Sequence, residues 1–455
     1  MTVNPVDSTI LGGLFGSDAL RAVFAERAWL QRLLDVEAAL ARVQARLGII
    51  PEAAARAIVD AARAELMSVE EIAASTKVVG YPVVAVTKAL AKAAGPEAGR
   101  YVHWGATTQD ILDTALVLQL REALELLRTD ARRLVRALIA QAVRHRDVVM
   151  AGRTHLQHAL PITFGYKCAI WAAPLLDDIA RLDALRPRLL KVQFGGAVGS
   201  LASLGDKGRA VTEALAKELG LAAPAAPWHA IRDSLAEAGS TLGILAGNLA
   251  KFATDIVLLM QTEVGEAFEP HQPGRGGSST MPQKRNPIAS EYVLAAARGI
   301  HALVPLLHGT MAQDQERSTG PWQAEQLALP QIVVLAGGAL AHAIAIAEGL
   351  TIDAARMRRN LELTHGLIMA EAAMMALAGR IGRQQAHDAV EHACARALAE
   401  NIGLADALRR EAAVAGAIDP AAIDRLADPQ AYLGECGAVI DRVAKRAGEV
   451  LGAVS

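Results

Sequence analysis

Residues 109–147 read QDILDTALVLQLREALELLRTDARRLVRALIAQAVRHRD. They contain neither Gly nor Pro, and apolar residues return every three or four positions, the period of a helix with one apolar side. At ~1.5 Å per residue such a helix runs on the order of 55 Å. A rod of that length cannot hide its apolar side alone, so it needs partners of similar length alongside it. The chain supplies candidates at 162–192, at 229–268 and in two segments flanking Pro330. The predicted fold class is therefore all-α: three helical domains around a central long-helix bundle. The N-terminal helical domain covers 1–108, punctuated by Pro51, Gly80, Pro82 and Gly95. The central bundle covers 109–350. The C-terminal helical domain covers 351–455, with shorter helices broken at Gly366, Gly379 and Pro420.

Composition agrees. Of 455 residues, 52% are hydrophobic but only 4% aromatic, so the core must be built from Ala, Leu, Val and Ile. Forty-six basic side chains against 48 acidic ones leave a formal charge of −2. No global field draws the chain to nucleic acid or to an anionic membrane, and any anion recognition must be local. Cys168, Cys394 and Cys436 are widely spaced and form no C-x-x-C pair, which argues against a disulfide framework or zinc ribbon. A reducing, cytoplasmic setting is expected. The start MTVNPVDSTILGGLFGSD lacks the basic and apolar blocks of a secretory signal. Lys251 and Asp255 interrupt the apolar run near 239–260, which reads as buried helix rather than membrane span.

Three segments place polar residues where a packing pattern has no use for them. The first, YVHWGATTQDILDT at 101–114, sets His103, Thr107 and Thr108 just before the long helix. Either threonine suits a helix cap, and a helix N-terminus carrying hydroxyls and backbone donors also suits a carboxylate. The second, GRTHLQHALPITFG at 152–165, gathers Arg153, Thr154, His155, Gln157 and His158. Two histidines three apart, with no H-E-x-x-H pattern and no neighbouring acid, favour acid–base or binding chemistry over a metal. The third, GRGGSSTMPQKRNP at 274–287, fails both the phosphate-loop and the G-x-S-x-G templates. Its glycines permit motion, Ser278 and Ser279 supply hydroxyls, and Lys284 with Asn286 offers a charge and an amide to a bound carboxylate.

GSSTMPQKRNP at 277–287 resembles the signature of the fumarase/aspartase superfamily, and HWGATTQDILDT and GRTHLQHALPITFG resemble its two other characteristic regions in the expected order. Within it, the 3-carboxy-cis,cis-muconate cycloisomerase family is the nearer likeness. It is carried by LRPRLLKVQFGGAVGSLASLG, APWHAIRDSLAE, FEPHQPGRGGSSTMPQKRNP, ERSTGPWQAE and DAARMRRNLELTHGL, so the likeness runs from about residue 20 to residue 440. The resemblance implies a homotetramer whose active sites draw the three regions from three subunits. It implies a small tricarboxylate substrate, no cofactor and no metal, and neither a nucleic-acid nor a membrane partner.

It also implies roles. Ser278, on a mobile lid, is the proton carrier at the carbon beside a carboxylate, and Lys284 steadies the enolate-like charge. His155 is the general acid in lyases of the superfamily. In a cyclisation the attacking carboxylate needs no proton at neutral pH, so His155 is expected to orient it instead. Thr107, Thr108, Gln157 and Asn286 match positions that in the family donate hydrogen bonds to substrate, and His103, Arg153, Thr154, Arg275, Ser279 and Arg317, in or beside the matched segments, are further candidates for binding it. The implied activity is lactonization of carboxymuconate. A sulfonated muconate, a fumarate-releasing elimination of the adenylosuccinate or argininosuccinate type, and a crystallin-like structural tetramer are the alternatives.

Overall fold

The computed structural model describes residues 3–270, 276–277, 281 and 283–452. The long helices are Thr108–Arg144, Phe164–Leu189, Asp233–Met260, Ile288–Gly309 and Pro321–Gly349. They are all-α as predicted, and the chain divides into two compact units whose limits fall inside these helices or beside them. One comprises 1–131, 178–249 and 292–341; the other comprises 132–177, 250–291 and 342–455.

In the first unit, helices Glu26–Arg46, Glu52–Ala61 and Pro82–Ala94 close over a core of Leu30, Leu33, Leu34, Ile58, Val83, Leu90 and the start of the Thr108–Arg144 helix. The punctuation works as the residue types dictate. Gly80, at φ +85°, accepts the left-handed conformation that ends Val69–Val79, and Pro82 starts the next helix where its missing N–H costs nothing. A second cluster joins Leu40 and Val43 to Val192, Phe194, Val211 and Leu215. The second unit has its own core, in which Leu361, Met369, Leu377, Val390, Leu404 and Ile423 pack with Val149 and Ala151.

Two helix-breaking expectations are corrected. Pro330 does not separate two helices but lies inside Pro321–Gly349. An interior proline costs roughly 3 kcal/mol. Leu329, Ile332, Val333, Ala336 and Leu340, all at most 1% exposed, offset that cost by burial. Gly379 likewise lies within Ala370–Ile381, and the break comes at Gly382, where φ is +82°.

Among the described residues, two strand pairings fall outside the helical reading, a short one between Ala267–Phe268 and Thr351–Ile352 and a longer hairpin. Val149–Thr154 and Gln157–Thr163 form an antiparallel hairpin, with Val149 opposite Thr163 and Thr154 opposite Gln157. His155 and Leu156 make its two-residue turn with φ of +51° and +63°. Both are left-handed, the geometry that lets a tight hairpin keep the native strand twist.

Candidate active site

The turn before the Thr108–Arg144 helix is built on buried charge. Asp110, fully buried, accepts hydrogen bonds from the main-chain N–H groups of Thr107 (3.0 Å), Gly195 (2.9 Å) and Gly196 (2.9 Å), and its Oδ1 lies 2.7 Å from His229 Nε2. The cap is thus the reverse of the expected one: the acid in the first turn reaches back to Thr107. Neither the Thr107 nor the Thr108 hydroxyl bonds to a described residue, and both side chains are half-buried. Gly105, at φ +73°, has no room for a Cβ, which would stand 2.9 Å from the Leu204 side chain.

One turn further along, Asp113 accepts two bonds from Arg232 (2.7 and 3.0 Å), and Arg232 Nε donates to Glu325 (2.8 Å). All three are at most 3% exposed. Burial works against the Arg232 charge, and Asp113 and Glu325 overcome it, so the guanidinium is held above its usual value. Burial raises the Glu325 carboxyl, only partly opposed by Arg232. Gln109 connects this triad to a predicted site residue: it donates to Asp113 (3.0 Å) and accepts from Arg317 (3.1 Å), whose other nitrogen donates to the Ala197 carbonyl (2.7 Å).

His103 belongs to the same turn. Its Nδ1 is 2.6 Å from Glu37, a residue 2% exposed. Burial pulls the imidazole down, but Glu37, and then Asp110, more than reverse this, and the ring is raised above its ordinary value.

The second group of predicted residues belongs to the hairpin. Arg153 makes a two-pronged pair with fully buried Glu266 (2.7 and 2.9 Å), which Asn360 also contacts at 2.7 Å. Both terminal nitrogens of Arg153 are therefore committed to holding the strand. Thr154, His155 and Gln157 are exposed at the tip. His158 is held below its usual value by burial and by Arg153. Its Nδ1 is buried without a partner among the described residues.

Of the third group, Arg275, Ser278 and Ser279 lie outside the described residues. Around them, Asn286 N–H donates to the Gly276 carbonyl (3.0 Å) and Gly277 bridges Arg285. Arg285 sits over the Phe268 ring at 5.1 Å and donates to the Glu269 carbonyl (3.0 Å). Glu269, 6% exposed, caps the Ile288–Gly309 helix through the N–H groups of Ala289 and Ser290. That division of labour leaves Lys284 exposed, with its ammonium bonded to no described residue.

Sequence reasoning missed Glu37, Asp110, Asp113, Arg232, Glu266 and Glu325. For Glu37, Asp113 and Glu325 the signal available was an acid inside a helix otherwise apolar on that side, but Arg232 and Glu266 lie outside the helices and carried none. Among the described residues one group has metal-ligand spacing, His387, Asp388 and Glu391, all exposed on the Arg383–Glu400 helix and in none of the three segments.

The lyase family profile matches residues 15–301, and the adenylosuccinate lyase C-terminus profile matches 366–443. The chain belongs to this lyase family. It is 51% identical over 431 residues, 94% of each chain, to the 3-carboxy-cis,cis-muconate cycloisomerase of Pseudomonas aeruginosa. It is 48% identical over 439 residues to the enzyme of that name from Bradyrhizobium diazoefficiens, covering 96% of this chain and 97% of the relative. The crystal structure of the 3-carboxy-cis,cis-muconate lactonizing enzyme from Pseudomonas putida superposes with a TM-score of 0.93 at 46% identity, covering 97% of this chain and all of that one.

Proposed function

We propose that the protein is an intramolecular lyase that lactonizes 3-carboxy-cis,cis-muconate to 4-carboxymuconolactone, a step in aromatic degradation. The observation that carries this reading is which motif residues remain available. The hydroxyls of Thr107 and Thr108 and the ammonium of Lys284 bond to no described residue, and Thr154, His155 and Gln157 stand exposed, while their neighbours Asp110, Glu266, Glu269 and Arg285 are consumed in holding the local backbone and Arg153. In a chain half identical to named cycloisomerases, the unspent donors are those a polycarboxylate needs.

The chemistry follows from charge. A carboxylate oxygen bonds to the far carbon of a conjugated double bond, and the electron pair moves toward the carboxylate at the other end. The near carbon then takes a proton, so substrate and product are isomers. The intermediate concentrates negative charge on that second carboxylate, where fixed donors have most effect. Lys284 and Asn286 serve it, Ser278 delivers the proton, and Thr107 and Thr108 hold the remaining carboxylates. His155 orients the attacking group.

The working form is a cytoplasmic homotetramer with sites shared between subunits. Asp233–Met260 and Pro321–Gly349 are long and apolar enough to cross a membrane, and only 44% of the apolar window of the first is buried within the chain. Ile244, Ile170, Leu306 and Leu327 are exposed. Copies of the same helices are the natural cover for such surfaces, and the three free cysteines fit a reducing compartment.

An ultraviolet assay with carboxymuconate, a sulfonated muconate and adenylosuccinate tests the reading. Preferential loss of the carboxymuconate chromophore is expected. Turnover of adenylosuccinate alone would replace cyclisation by elimination.

A further inference from the structure

The helix Glu26–Arg46 is apolar on its inner side: Leu33, Leu34, Val36, Ala38, Leu40 and Ala41 are all at most 5% exposed. Two polar residues interrupt that side, Glu37 at 2% and Gln44 at 0% exposure. They are seven apart, two helical turns, and so share one face. Both reach the same short turn. Gln44 Nε2 donates to the Trp104 carbonyl at 2.7 Å, and Glu37 meets His103 Nδ1 at 2.6 Å. His103 itself is in the left-handed region, φ +63°, which a residue other than Gly adopts only when its surroundings hold it there.

We infer that Glu37 is a positioning residue that keeps His103 a cation, so that its second ring nitrogen donates to one carboxylate of the anionic substrate. The inference rests on the polycarboxylate reading above. Three points carry it. A carboxylate this deep is costly unless an opposite charge accompanies it, and Glu37 bonds to no described residue except His103. A carboxylate at Nδ1 fixes the proton there, which leaves Nε2 as the nitrogen facing outward. That Nε2 bonds to no described residue, and the His103 side chain retains 23% of its exposure.

The charged groups acting on the ring are Glu37, from the helix behind it, and Asp110, from the Thr108–Arg144 helix. Asp110 is already surrounded by His229 and the N–H groups of Thr107, Gly195 and Gly196. Glu37 is therefore the partner whose charge has no other outlet. Its effect is to keep an anion-binding imidazolium from fading as pH passes through the ordinary histidine range near ~6.5.

The test compares wild type, Glu37→Gln and His103→Gln, following kcat and KM for carboxymuconate from about pH 5 to about pH 8.5, a range that starts well below the ordinary histidine value. Wild-type KM is expected to change little across it. Glu37→Gln should match wild type at the acid end and lose roughly tenfold in KM toward the alkaline end, the scale of one charge-assisted hydrogen bond, with kcat much less affected. His103→Gln should show the raised KM at every pH. A Glu37→Gln profile that runs parallel to wild type, shifted or not, would overturn the inference, because a purely structural role has no reason to follow pH.

A second readout needs no turnover. In protein with isotope-labelled histidine, the ring resonance missing from His103→Gln identifies His103. Its titration midpoint should lie above the ordinary value in wild type and fall in Glu37→Gln. A wild-type midpoint at or below ~6.5 overturns the inference even if Glu37→Gln fails to fold. If carboxymuconate is not a substrate but the midpoints behave as expected, the functional reading fails while the charge on His103 stands.

Discussion

The turn at 101–110 and the hairpin at 149–163 both carry residues predicted to bind substrate, yet they are built in opposite ways. The turn is clamped from behind by buried ions: Glu37 on His103, Asp110 on three main-chain N–H groups, Asp113 and Glu325 on Arg232. The hairpin has one such clamp, Glu266 on Arg153, one pair short of the tip, and beyond it the side chains of Thr154, His155 and Gln157 make no hydrogen bond to a described residue. The turn is preorganised within one chain. The tip lacks such a clamp, and it is there that the proposed sharing of the site between subunits would act.

The largest expected effect tests the clamp. Arg232→Met leaves two acids buried without their cation, and removing one partner from such a set costs about 3–5 kcal/mol. Denaturant unfolding should show that loss, and adding Asp113→Asn and Glu325→Gln should recover part of it. If Arg232→Met is as stable as wild type, the triad is not what fixes the turn.

Next comes chemistry without stability. Ser278→Ala and His155→Ala should each leave the fold intact, and Ser278→Ala should lower turnover by ~10²-fold or more. Mixed and reassembled, the two variants should regain activity, because some sites then receive wild-type copies of both residues. Hybrids shown to have exchanged subunits but still inactive would break the proposed sharing.

A smaller loss is expected from Asp110→Asn. An amide has one acceptor oxygen where the carboxylate had two, so one of the N–H groups of Thr107, Gly195 or Gly196 would face an NH₂. That costs about 1–3 kcal/mol. Faster hydrogen exchange confined to 193–199 and 107–110 would localise it; unchanged exchange there would count against the clamp.

The same contrast explains what was legible in the sequence. The helices of 109–147 and the shorter N-terminal set were readable because their periodicity is a packing property. Thr107, Thr108, His155 and Lys284 stood out as candidates because polar residues crowd where packing has no use for them. Arg153 was read as a substrate contact, and the structure gives both its terminal nitrogens to Glu266, 113 positions away. No local pattern announces such a partner, and the pairings of Glu37, Asp113, Arg232 and Glu325 were hidden for the same reason. The hairpin was missed because its strand signal is weak: Gly152 and Pro161 interrupt it.

The smallest expected effect on stability is at Leu156. It is a large apolar residue, 69% exposed, in a left-handed conformation that normally excludes it. Within a single chain neither property is useful, and Leu156→Asn should be neutral or slightly stabilising, within about 0.5 kcal/mol, since Asn accepts that backbone and water alike. Across a subunit boundary the balance reverses. Leu156 would then be the apolar anchor that seats the tip against its neighbour, and the substitution should weaken the tetramer or raise KM while thermal unfolding barely moves. Melting temperature, light scattering and KM on the same preparation separate the two situations. If all three match wild type, the tip is a free surface loop, and the case for a hairpin completed by a neighbouring subunit is lost.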